Sequence, residues 1–151
     1  MPTSRPNVLL VCDQQSRHNF LTAPDLERLK IFADWDWFAC EDGVPFFSPS
    51  TDLELRDRLL EQVEEVDAIV VSCGAPLIDA DVMDRSPRLK LVGEIAGDRF
   101  AERIDVEAAW ERGIRTVDTT NGTSYPVAEW ALAMILISLR NAGAYFRRIL
   151  A

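Results

Sequence analysis

The chain has 151 residues, 48% hydrophobic and 27% charged, so it can bury the core of one ordinary domain and is neither disordered nor a two-domain enzyme within this length. Twenty-five Asp and Glu against sixteen Lys and Arg give a net charge of -9; such a surface repels phosphate backbones and anionic lipid, and neither nucleic acid nor a membrane is expected as a partner. Three cysteines without a close pair form no disulfide framework, and the first residues lead into a short apolar strand without a signal-peptide core, so a cytoplasmic location is expected.

In chain order, residues 8–11 read as a strand that is apolar without alternation, as suits a strand covered on both faces. Pro24 and Asp25 open a helix over 24–29, since proline and acids favour a first turn. A strand over 37–40 follows. Asp52 introduces a helix whose Leu53, Leu55, Leu59, Leu60 and Val63 recur at helical spacing, and the acidic stretch 61–67 reads as a solvated face. A strand over 68–72 leads to a helix over 79–84 ended by Pro87, and a strand over 89–95 to a helix over 106–112, capped by Asp105 and stopped by Gly113. A fifth strand, 114–117, completes an alternating order that predicts an α/β, flavodoxin-like, three-layer domain over 1–124, its parallel five-stranded sheet ordered 2-1-3-4-5.

Residues 125–151 depart from this pattern. Pro126 suits a first turn, no later proline follows, and only Gly143 weakens a predicted helix running to Leu150. The half from Val127 to Ile137 is apolar nearly all round, so it must be covered on most sides. One sheet face covers a single stripe; a second copy or another part of the polypeptide must cover the rest. The apolar run 127–139 falls short of the roughly 20 residues that span a bilayer.

Cys12, Cys40 and Cys73 each fall at the carboxyl end of a predicted strand, where ligand sites of such sheets lie. A metal-binding or redox-sensing thiol cluster is conceivable, but no C-x-x-C spacing supports one, and cysteines are common in cores. Ser72-Cys73-Gly74-Ala75-Pro76 is a tight turn that either faces a ligand or needs glycine for positive φ. Asp13 raises a phospho-acceptor reading, which fails because Cys73 stands where the acceptor aspartate belongs. An FMN phosphate loop is excluded by the absence of glycine from 12–17. Asn121-Gly122-Thr123 reads as a turn. Trp35 and Trp37, near the second strand, are expected to pack in the core.

The pieces Pro87-Arg88-Leu89-Lys90-Leu91-Val92, Ile104-Asp105-Val106-Glu107-Ala108-Ala109, Arg112-Gly113-Ile114 and Val127-Ala128-Glu129 keep an order and spacing that resembles the D-isomer-specific 2-hydroxyacid dehydrogenases over roughly the last 65 residues. The resemblance implies a flavodoxin-like substrate domain joined by a dimer-forming helix to a Rossmann domain that binds NAD or NADP. It also implies that this chain stops before the nucleotide-binding part. The sequence holds no G-x-G-x-x-G, the family's catalytic Arg, Glu and His would lie beyond residue 151, and His18 matches none of them. The family's glycine-rich, carboxylate-binding loop corresponds to 96–103, where Gly97 fits, Asp98 and Phe100 replace glycines, and Arg99 offers a bidentate contact instead.

The resemblance therefore implies a substrate side made of Cys73, Gly74, Gly97, Asp98 and Arg99, with Thr123 and Ser124 near the nicotinamide. No catalytic residue or metal ligand is assigned. The implied function is the substrate-side domain of an NAD(P)-dependent oxidoreductase acting on a D-2-hydroxy acid or 2-oxo acid, catalytically incomplete by itself, with no cofactor expected for this chain alone and a homodimer formed through the C-terminal helix. The alternative is a stand-alone, non-catalytic module that binds a small acid or a protein.

Overall fold

A computed structural model describes residues 5–97 and 100–150, with residues 100 and 101 described by backbone alone. The chain forms two compact units, Met1–Thr119 and Thr120–Ala151.

In the first unit, β1 (Asn7–Cys12), β2 (Asp34–Ala39), β3 (Ala68–Val71), β4 (Leu91–Glu94) and β5 (Arg115–Asp118) form one parallel sheet in the order β2-β1-β3-β4-β5. The register aligns Val11 with Phe38 and Val71, and Val71 with Glu94. The carboxyl ends of four strands therefore finish side by side. Parallel neighbours need crossovers, and these supply α1 (Gln14–Phe20), α2 (Ala23–Leu29), α3 (Leu53–Gln62), α4 (Ala80–Asp84), the single turn α5 (Phe100–Arg103) and α6 (Val106–Glu111).

Side-chain alternation sorts the strands between two cores. Leu9, Val11, Phe38, Ile69, Val71 and Val92 pack with Leu55, Leu59 and Val63 at α3, Val82 and Met83 of α4, and Ala108 and Ala109 of α6. On the opposite face Val8 and Leu10 meet Leu21, Leu26, Leu29, Trp35 and Trp37. The tryptophans are thus packing residues, as expected. The Trp37 indole also donates to the Cys12 carbonyl at 3.1 Å beneath the Arg17 guanidinium.

Two elements of this unit escape the sequence pattern. α1 carries no apolar stripe; its start is fixed by Asp13, whose carboxylate accepts the Ser16 N–H at 2.6 Å. β2 begins at Asp34, three residues before the expected strand, because Arg5 donates to the Lys30 and Ala33 carbonyls and Asp34 N–H bonds the Pro6 carbonyl, drawing polar residues into the ladder. Asp105 caps α6 as expected, and Asp52 and Asp79 likewise accept backbone N–H groups at the starts of α3 and α4.

The second unit holds α7 (Thr120–Leu139) and α8 (Ala142–Leu150) in place of one helix over 126–150. α7 starts six residues before Pro126, which sits inside it at the cost of one backbone bond. The break falls at Asn141, φ +54°, rather than at Gly143: asparagine tolerates the left-handed region and turns the chain there. At 20 residues α7 spans about 30 Å and, by length and composition alone, meets the size of a membrane span, which the shorter apolar run did not. Its side chains are exposed all round.

Asp67, at the amino end of β3, ties three segments together. Its carboxylate accepts the Asn7 N–H at 3.0 Å, Arg88 at 2.7 Å and Lys90 at 3.4 Å. Burial opposes ionisation, but these donors outweigh it and hold the carboxyl below its ordinary range. A depressed carboxyl stabilises the fold above the unfolded pKa of about 4, and that contribution is lost as pH falls through the folded value. We expect D67N to unfold about 1 kcal/mol more easily in urea at pH 7, with the gap to the unmodified chain closing below pH 4.

Candidate functional site at the carboxyl edge of the sheet

The carboxyl edge gathers the loops that leave β1, β2, β3 and β4. Their backbones interlock: Asp13 N–H donates to the Cys73 carbonyl at 2.8 Å, Cys40 N–H to the Cys12 carbonyl at 3.1 Å, and Ser50 N–H to the Ala75 carbonyl at 2.9 Å. Gly74 lies at the crossing with φ +82°, and a Cβ there would stand 2.9 Å from both the Cys40 Cβ and the Glu41 carbonyl oxygen. Glycine is thus required by conformation and by space. Gly97 shares the positive φ, at +85°, but has open space around it.

Sequence patterning misses the group that binds these loops. Glu94 ends β4 and Arg103 ends α5; both side chains are wholly buried, with Nη1 and Oε2 3.0 Å apart. The other Glu94 oxygen accepts the Ala96 N–H at 2.8 Å. The Arg103 Nη2 donates to the Phe46 carbonyl and lies 4.0 Å from the Cys73 sulfur. One ion pair therefore joins the loops after β2, β3 and β4. The segment carrying Arg103 is pinned in turn, since Ile78 N–H donates to the Arg103 carbonyl at 2.8 Å and Asp105 N–H to the Ile78 carbonyl at 3.0 Å.

The sequence signal was available. A charged residue at the end of a strand covered on both faces has to find a partner, and Arg103 precedes the apolar Ile104 in the same way. Asp13, 5% exposed, is a further residue of this edge whose interest at the sequence level lay only in the rejected phospho-acceptor reading.

Burial raises the Cys12 thiol to about 11 and the Cys40 thiol to about 12, with the Asp13 charge adding to both. These thiols stay protonated near neutral pH and act as walls rather than nucleophiles. All three cysteines are free, and the described residues contain no set of three side chains placed to hold a metal. The exposed His18 lies in α1.

The family model for the catalytic domain of the D-isomer specific 2-hydroxyacid dehydrogenases matches residues 27–145. The chain belongs to that family. Among curated relatives, a D-3-phosphoglycerate dehydrogenase of Methanocaldococcus jannaschii is 30% identical over 106 residues, covering 67% of this chain and 20% of its own length. A glyoxylate reductase of Pyrococcus furiosus is 36% identical over 109 residues, covering 67% of this chain and 32% of its own length. The fold is shared with the crystal structure of a phosphoglycerate oxidoreductase from Rhizobium etli, at TM-score 0.64 and 19% identity, covering 95% of this chain and 40% of that one. An NAD-dependent formate dehydrogenase of Staphylococcus aureus, in complex with NAD, gives TM-score 0.57 at 20% identity, with 95% and 40% coverage. The chain thus spans a fifth to two fifths of the length of these relatives.

Of the expected site residues, Cys73 lies beside the Glu94–Arg103 pair, which also holds the backbone just before Gly97, while Gly74 lies against Cys40, Glu41 and Asp13. Asp98 and Arg99 lie outside the described residues. Thr123 and Ser124 belong to the second unit, on the early turns of α7, with their hydroxyls turned back to the Thr120 and Asn121 carbonyls.

Replacing Arg103 by Met removes the guanidinium that faces the buried Glu94 carboxylate. We expect R103M to lose about 3–5 kcal/mol of unfolding free energy, and E94L/R103M to regain most of that loss, as read from urea titrations.

Proposed function

We propose that this chain supplies the substrate-binding side of an NAD(P)-dependent oxidoreductase that acts on a D-2-hydroxy acid or 2-oxo acid, working in the cytoplasm. One observation carries the proposal: in a chain of this family, Cys73 and the backbone before Gly97 are joined by a buried ion pair at the carboxyl edge of a parallel sheet, where ligands of such sheets bind. In this role Gly97, Asp98 and Arg99 take the carboxylate, and Cys73 and Gly74 form the adjoining wall.

The fit to a dinucleotide is partial. A pyrophosphate is held by a glycine-rich turn entering a helix; here the turn after β1 is filled by the Asp13 carboxylate, and the crossing at Gly74 has no room even for a Cβ. Thr123 and Ser124 offer hydroxyls near where the family places the nicotinamide, but no cradle. Hydride chemistry in a complete member is supplied by NAD or NADP; this chain contributes the acid's position.

Two tests follow. Glycolate added to the 15N-labelled chain is expected to shift the amides of Cys73, Gly74, Ala96 and Gly97, while the chain alone leaves NADH unoxidised in the presence of glyoxylate; silent amides, or turnover above the blank, would remove the proposal.

The helical unit is proposed to form a homodimer. Trp130 is 66% exposed and Ile137 49%, and each such side chain left in water forfeits roughly 1.5–3 kcal/mol of burial. A twofold contact hides the same surface on both copies. Light scattering should give twice the chain mass at tens of micromolar, and W130D/I137D should reduce it to one chain.

A further inference from the structure

α1 turns two faces to two different cavities. Asp13, at its cap, and Ser16 and Asn19 line one that the loop after β2 and Cys73 close. Gln14, Arg17, His18 and Leu21 recur at i, i+3, i+4 and i+7, the spacing of one helix face, and line another of about 480 Å³ against Thr22, Ala23 and Leu26. This second cavity shares no lining residue with the substrate side proposed above. Its floor is apolar, because Leu21 and Leu26 also pack on the cluster of Val8, Leu10 and Ala33.

Its wall is cationic. The Arg17 guanidinium lies 4.2 Å over the Trp37 ring, and that indole is itself fixed on the Cys12 carbonyl, so the fork has a defined plane. The Arg17 Nε is buried without a hydrogen-bond partner. Acids are not scarce, at 25 against 16 Lys and Arg, yet those nearby turn elsewhere: Asp13 accepts the Ser16 N–H, and Asp25 accepts the Thr22 hydroxyl with Arg28 3.9 Å away. His18, beside Arg17, is exposed. An anion seated here meets both cations at contact, whereas the net charge of the whole chain is screened over about 8 Å at physiological ionic strength.

We propose that this face of α1 is a second ligand site, for a small organic phosphate whose phosphoryl group meets Arg17 and His18 and whose apolar body lies over Leu21 and Leu26. The donors of the wall are the Arg17 fork, the His18 imidazole and the Gln14 amide, since the Thr22 hydroxyl is committed to Asp25. They outnumber the oxygens of a carboxylate and suit a phosphate monoester, whose second charge a second cation matches. The inference stands apart from the substrate side, because the two share no residue.

The test follows amide shifts of the 15N-labelled full chain at neutral pH as phenyl phosphate, inorganic phosphate and benzyl alcohol are added separately. Phenyl phosphate is expected to move Gln14, Arg17, His18, Leu21 and Leu26 saturably, at concentrations about tenfold or more below those that inorganic phosphate or benzyl alcohol requires, because each of these lacks either the apolar body or the charged head. R17M keeps an unbranched chain over Trp37 but removes the charge, and should weaken phenyl phosphate about tenfold. H18Q, at an exposed position, should weaken it about threefold. Benzyl alcohol binding as tightly as phenyl phosphate, an affinity unchanged in R17M or in H18Q, or an absence of saturable shifts over 14–26 overturns the proposal. Phenyl phosphate shifts confined to 73–74 and 96–97 also overturn it, and assign the anion to the substrate side instead.

Discussion

The carboxyl edge of this sheet depends on two opposite charges that have no access to water. Glu94 and Arg103 are wholly buried, and each alone would be a severe liability in a low-dielectric interior. Together, with the Ala96 N–H and the Phe46 carbonyl satisfying other positions, they turn that liability into geometry. Any displacement of the loop after β4 relative to the loop after β2 would strain the contacts of Arg103 with Glu94 and with the Phe46 carbonyl. The parallel strands end side by side at this edge, and the pair joins the loops after β2, β3 and β4 into one surface.

A second constraint acts through volume. Where the loops after β1, β2 and β3 cross, the backbones come so close that only Gly74 fits, 2.9 Å from two neighbours when a Cβ is added. The ion pair resists separation and the glycine permits approach, so the loops are held from both sides. The acidic caps show the same economy: Asp13, Asp52, Asp79 and Asp105 each start a helix by accepting backbone N–H groups.

The helical unit obeys a different rule. α7 has apolar side chains on every side, so no orientation of the helix alone hides them. α8 separates Tyr145, Phe146 and Ile149 from Arg147 and Arg148, and is amphipathic. The turn between them rests on Asn141 rather than Gly143, because the left-handed conformation is needed at the residue that closes α7. The membership shown by residues 27–145 extends through this turn, so the helices belong with the family's architecture and are not an unrelated appendage.

Much of the fold was legible in local pattern. Apolar runs at 8–11 and 68–72, caps at Asp52, Asp79 and Asp105, and the stop at Gly113 are short-range signals, and short-range physics fixes them; spacing of family pieces did the same for membership. The substrate-side expectation drew Cys73, Gly74 and Gly97 to one edge for the same reason, since strand ends in a parallel sheet converge. What sequence did not yield depends on partners far apart in the chain. Glu94 and Arg103 became a structural element only once their burial and their contacts with Phe46 and Cys73 were decided by packing. Likewise β2 was lengthened by Arg5, α1 had no stripe to announce it, and Asp13 became part of a cavity wall through a loop some thirty residues away. The sequence by itself determined which segments are strands and which charges start helices, because those energies are local; only the tertiary structure decided which charges lose water, because desolvation depends on everything packed around them.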